Sequence, residues 1–137
     1  MQLKTEEIDI IKSTFEIISQ NAENFASHFY DCLFELAPII RPMFKSQRDV
    51  IELHFVEIMV TAVEKIEQFE QLEPALLELG AIHKEHKVIE SQFDFVKTAL
   101  LLAIEFELRE KCNDSVVNAW SRYVDEISAV MIKGLKQ

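Results

Sequence analysis

The chain has 137 residues, 49% of them hydrophobic and 28% charged, with a formal net charge of −10. This composition excludes a disordered polymer, and a chain of this size can bury roughly two-thirds of its unfolded surface. The acidic balance repels phosphate backbones and anionic bilayers alike, so neither nucleic acid nor a membrane surface is an expected partner. No run approaches the about 18 uninterrupted apolar residues of a spanning helix, since the longest, Thr98 to Phe106, is broken by Glu105. The opening MQLKTEEIDIIK has no basic-then-apolar signal layout. Cys32 and Cys112 stand far apart without metal-ligand spacing, so reduced thiols and a cytoplasmic location are expected. With only two glycines and three prolines the chain has few turn formers, which favours long helices over strands.

The periodicity predicts an all-α chain, one domain over residues 1–137, with about six main helices plus a short one and no strand pattern. The first helix is expected from Thr5, with Glu6 and Glu7 favourably placed in its first turn and Ile8, Ile11, Phe15 and Ile18 on one face. Asn21 is the expected N-cap of a second helix through Phe25, Phe29, Cys32, Leu33 and Leu36. Pro38 and Pro42 bracket a short turn ending at Phe44, because two prolines so close break a continuous helix. After Ser-Gln-Arg-Asp comes a helix of about 20 residues, with Ile51, Phe55, Ile58 and Ala62 on one stripe. Pro74 fits the first turn of the next helix, which carries Leu76, Leu79, Gly80 and His83. Ser91 is a candidate cap for a helix through Phe93, Val96, Leu100, Leu101, Ile104 and Leu108, and Asn113 or Asp114 opens the last, through Val117, Trp120, Val124, Ile127 and Met131. Such faces are buried only by packing helix on helix.

His83 follows the apolar stripe Leu76 and Leu79 and therefore points inward. It is either a satisfied core histidine or a ligand. Gly80, in the preceding turn, lets something approach that helix closely. No competing nucleophile or carboxylate arrangement is present, since acids such as Glu105 and Glu107 face different sides of a helix.

The segment LELGAIHKEHKVIESQFDFVKTALL resembles the globin family, matching Leu-Gly-x-x-His followed five residues on by Val88. Upstream, FASHFYDCLFELAPIIRPMF is similar to the same family, with Phe44 at the short corner; downstream, NAWSRYVDEISAVM resembles its last helix. The likeness is to bacterial single-domain globins and neuroglobin and covers essentially the whole chain. It implies a haem b cofactor with His83 as the metal ligand, its other ring nitrogen held by a backbone carbonyl one turn earlier. It also implies that Phe44 packs on the porphyrin, that Val88 and Phe93 line the proximal side, and that Tyr30 faces a bound gas. For Tyr30 the alternative is a hydroxyl that simply reaches a backbone carbonyl.

Aligned without gaps, Ile51 takes the distal position where relatives carry Gln or His, Phe55 lies one turn on, and His54 stands at the pocket edge. A second register makes His54 the distal residue, because His54 and His83 are 29 apart, as are the paired histidines of myoglobin. His86 and Lys84 are candidate propionate partners or a solvated face, and His28 is expected on the surface or in helix packing. No haem role is expected for Tyr123.

The function implied is reversible binding of dioxygen or another diatomic gas for transport, storage, scavenging or sensing. An enzymatic alternative is nitric oxide dioxygenation or peroxidase-like turnover. Family members that do this place a Tyr–Glu pair beside the proximal histidine, where Phe93 and Leu135 stand here. With no flavin or nicotinamide domain before Gln137, such turnover is expected to need a separate reductase. A haem-free signalling module is the third class.

Overall fold

The computed structural model describes all 137 residues. Six α-helices follow one another: α1 (Thr5–Ser19), α2 (Ala22–Leu36), α3 (Arg48–Glu64), α4 (Phe69–Glu85), α5 (Phe93–Leu108) and α6 (Asp114–Leu135). A six-residue 3-10 helix, Pro38–Met43, separates α2 from α3, and single 3-10 turns precede α4, α5 and α6. There is no strand.

Most helix starts fall where the sequence places them. Thr5 begins α1, and the Asn113 side chain caps α6 by accepting from the Val116 amide at 3.0 Å. Asn21 holds the N-cap position of α2 but makes no side-chain cap bond. Three expectations are corrected. Arg48 and Asp49 already belong to α3, which is 17 residues long. Pro74 lies inside α4 rather than in its first turn, because buried Phe69 and Leu72 dock the chain one turn earlier. The amide that Pro74 lacks would have bonded the Glu70 carbonyl, and both residues are exposed, so the loss falls on the solvent side of the helix. Ser91 does not cap α5. It sits within the turn Glu90–Gln92, whose start is closed by Gln92 accepting from the Ile89 amide at 3.0 Å.

The core is built around α6, the longest helix, which packs on α4, α1 and α5, while α2 packs on α5 and α3. Trp120 and Tyr123 on α6 are completely buried yet carry polar atoms, and each has a partner. The Trp120 indole donates to Thr14 Oγ1 at 2.9 Å, and Thr14 passes a bond to the Ile10 carbonyl at 2.7 Å. The Tyr123 hydroxyl donates to the Ala62 carbonyl, joining α6 to α3, and burial raises its phenol above the ordinary range.

Both glycines of the chain serve one crossing. A Cβ at Gly80 on α4 would stand 2.0 Å from the Met131 carbonyl oxygen on α6, and one at Gly134 on α6 would stand 2.1 Å from the Leu77 carbonyl oxygen on α4. What approaches Gly80 so closely is therefore the backbone of α6. The helix that carries His83 is seated backbone to backbone, with no flexible side chain between.

Gly80→Ala must push α4 away from α6 and is expected to cost about 3 kcal/mol, the upper end of overpacking penalties, lowering Tm by roughly 10 °C. Gly134→Ala should cost less, because the last turn of α6 can give way. Thermal denaturation checks both, and a Gly80→Ala protein melting within a degree or two of wild type would mean the crossing is not tight.

Candidate functional site

The last turn of α4 places His83 by a regular cap. Beyond the helix, Lys87 adopts a left-handed φ of 65°, the Lys87 amide donates to the Lys84 carbonyl at 3.0 Å, and the Val88 amide donates to the His83 carbonyl at 3.1 Å. This pair of bonds is the Schellman arrangement, with a lysine where glycine is commoner. It leaves His83 in the final turn and brings half-buried Val88 back toward the helix.

The His83 Nδ1 lies 2.6 Å from the Leu79 carbonyl oxygen. A carbonyl only accepts, so Nδ1 carries the proton and donates, and Nε2 keeps its lone pair. No protein group meets Nε2. Phe93 packs at the ring, centroids 6.0 Å apart, and contributes no polar atom; Leu135 is likewise buried hydrocarbon.

Opposite, α2 and α3 build an aromatic cluster. Phe55 stacks flat on Phe29 at 4.2 Å between centroids, and Phe25 lies 5.6 Å from Phe55. Tyr30 meets Phe29, Phe44 and Phe55 edge-on at 4.9, 5.6 and 5.8 Å. Phe34 lies 5.5 Å from Phe44. Within this apolar wall the Tyr30 hydroxyl donates to the Ile51 carbonyl at 3.4 Å, a long bond. Burial, reinforced by the Glu52 carboxylate and partly offset by Arg48, pushes the Tyr30 phenol well above its ordinary range. It remains a protonated donor through the neutral range. Ile51 is buried against Tyr30, whereas His54 is exposed.

Between α3 and α4 the protein does not cover its own apolar faces. The two helices have almost no contact, α3 leaning on α2 and α4 on α6. On the inner stripe of α3, Ile51 and Ala62 are buried, yet Ile58 between them is 39% exposed. On the stripe of α4, Leu72 and Leu76 are buried, but Leu79 and His83 are only half-buried, and Ile82 beside them is 43% exposed. Apolar side chains on both helices are thus left partly uncovered by the rest of the chain.

The globin family profile matches residues 27–131, which span this whole arrangement. The chain belongs to the globin family. Membership implies a haem cofactor and a diatomic gas ligand. This globin is 29% identical to an anaerobic nitrite reductase of Arabidopsis thaliana, over 93% of its own length and 90% of that protein's. It is 26% identical to a leghemoglobin of Canavalia lineata, over 92% and 91%. Among solved structures, a bacterial globin from Campylobacter jejuni superposes with a TM-score of 0.85 at 24% identity, covering 97% of this chain and 96% of that one.

Of the residues singled out from sequence, Tyr30, Phe44, Ile51 and Phe55 stand together, and His83, Val88 and Phe93 form a second group on the other side. His54 and His86 are solvent-exposed at the margins. Lys84 is exposed, and its ammonium is bonded to the Gln137 backbone oxygen beyond the end of α6. His28 stacks on Phe106, centroids 3.7 Å apart, as a helix-packing residue. Sequence reasoning missed Arg48, Gly134 and the back row of the aromatic wall. Phe25 and Phe29, four apart on one helix face, and Gly134, one of only two glycines, were the available signals.

Proposed function

We propose that this globin, read as one domain over residues 1–137, would hold haem b between α3 and α4 with His83 as the metal ligand, and reversibly binds a diatomic gas, dioxygen foremost. One observation carries the reading: the Leu79 carbonyl fixes the tautomer of His83 so that its unengaged nitrogen is the one with a lone pair, beside a slot the protein leaves bare. A flat apolar ring suits that slot, and the carbonyl-bonded imidazole suits iron. When bound, haem supplies an iron with a coordination position open to a small gas.

The chain's own residues do the rest. His83 is held in register by the Schellman cap and by the glycine crossing beneath it. Phe44, Phe55, Val88 and Phe93 supply apolar walls, and the exposed His54 and His86 are read as partners of the propionates. Ile51 offers no side-chain donor at the distal position, so Tyr30 is the one hydroxyl in the aromatic wall that can favour a polar gas over a less polar one. In this reading His54 does not reach the metal.

An enzymatic role is the second reading, because the Arabidopsis thaliana relative is named for nitrite reduction. Against it, His83 leans on a neutral carbonyl and a phenylalanine ring, with no carboxylate to make the imidazole more electron-rich. Turnover would also call for a separate reductase. A haem-free signalling role leaves the bare slot unexplained. An acidic chain with two free cysteines fits a reducing compartment, and we read it as cytoplasmic; no helix is long and apolar enough to cross a membrane.

His83→Ala is expected to abolish the Soret band of haem-reconstituted protein or to loosen haem severely, while the helical circular dichroism stays near wild type. A variant with an unchanged Soret band and unchanged gas binding would show that His83 is not the ligand.

Tyr30→Phe is expected to speed dioxygen release roughly 10- to 100-fold, since a hydrogen bond to an acceptor bearing negative charge contributes about 1.5–3 kcal/mol. Carbon monoxide release should change much less in stopped-flow measurements. Equal effects on the two gases would assign Tyr30 a steric role instead.

A further inference from the structure

The first turn of α3 is tied to α2 by two polar rungs one turn apart. In the first, the Arg48 guanidinium donates through Nη2 to the Ser27 carbonyl at 2.8 Å and to Asp31 Oδ1 at 2.7 Å, and through Nε to Glu52 Oε2 at 2.7 Å. The second is the 3.4 Å bond from the Tyr30 hydroxyl to the Ile51 carbonyl. No other side-chain hydrogen bond joins these helices. The guanidinium also lies over the rings of Tyr30 and Phe34, 5.9 and 5.8 Å from their centroids. It thus bridges α3 to α2 beside the Tyr30 ring.

The Tyr30 ring has little freedom among Phe29, Phe44 and Phe55. Its hydroxyl can turn about the C–O bond, and so can choose between acceptors without moving the ring. At 3.4 Å the Ile51 carbonyl is a weak acceptor, close enough to hold the proton in the absence of a better one and far enough to give it up. What sets that distance is the placement of the first turn of α3, and Arg48 is the group that anchors this turn to α2 on both sides of Tyr30's position, at Ser27 and Asp31.

We propose that Arg48 is a positioning residue: by pinning the start of α3 to α2 it keeps the Ile51 carbonyl within reach of the Tyr30 hydroxyl, so that this carbonyl and the gas ligand compete for one proton donor. The proposal rests on the reading of the slot as a gas site. Its consequence is that gas retention is tempered by a backbone acceptor at a position whose side chain is only hydrocarbon. Release of the pin lets the carbonyl recede and leaves the hydroxyl undivided for the ligand.

The test compares Arg48→Met, which keeps the aliphatic stem, with Arg48→Lys and with Asp31→Asn, which weakens the same tie from α2. In haem-reconstituted protein, Arg48→Met should slow dioxygen release about two- to fivefold, within the range of one neutral hydrogen bond. Asp31→Asn should act in the same direction, Arg48→Lys should stay near wild type, and carbon monoxide release should not change. In a Tyr30→Phe background the effect should vanish. In haem-free protein carrying 13C-labelled tyrosine, Arg48→Met should shift the Cζ resonance of Tyr30 and leave that of Tyr123 in place. Unchanged or faster dioxygen release, or the same change in the Tyr30→Phe background, would overturn the proposal. If wild-type protein takes up no haem, the gas-site reading fails, and an unmoved Tyr30 resonance would separately overturn the brace.

Discussion

A single hydrogen bond, from His83 Nδ1 to the Leu79 carbonyl 2.6 Å away, decides which nitrogen of the imidazole is available for chemistry. Held as it is, it keeps a neutral lone pair on Nε2. Everything that fixes α4 therefore acts on the site. The helix end is closed by a Schellman cap with Lys87 in a left-handed conformation, and the helix is seated on α6 through two glycines, where added carbon would meet a carbonyl at about 2 Å. Backbone meets backbone where α4 crosses α6.

The distal side is built differently. Packed rings, not backbone contacts, hold it, and its polar elements are few: one phenol, one carbonyl and one guanidinium bridging α2 and α3. Aromatic packing fixes where the Tyr30 ring sits but leaves its hydroxyl free to select an acceptor.

Much of this was legible in the sequence. The helical period of Leu76, Leu79 and His83 pointed the histidine inward, the sparse glycine and proline content announced long helices, and Asn113 marked the start of the last one. The carbonyl partner one turn before His83 was implied by the resemblance to globins, and the Leu79 carbonyl stands there. Other features were hidden for physical reasons. Pro74 looked like a helix start because local propensity favours proline there, but burial of Phe69 and Leu72 overrode it. Gly80 announced a close approach without naming the approaching group, since the partner, Met131, is 51 residues away in the chain. Arg48 read as an ordinary surface charge; its acceptors, the Ser27 carbonyl and Asp31, come together only when α3 folds back on α2. Burial of Ile51 and exposure of His54 depend on how α3 packs on α2, which helical period alone does not fix.

The most direct test of the central claim is the resonance Raman spectrum of haem-reconstituted protein, reduced and free of gas. The account predicts one five-coordinate species with an iron–histidine stretch at the low frequency of a neutral, carbonyl-bonded imidazole, absent in His83→Gly and restored at a shifted frequency by added imidazole. A six-coordinate low-spin spectrum that depends on His54, or an iron–histidine mode that survives in His83→Gly, would contradict it.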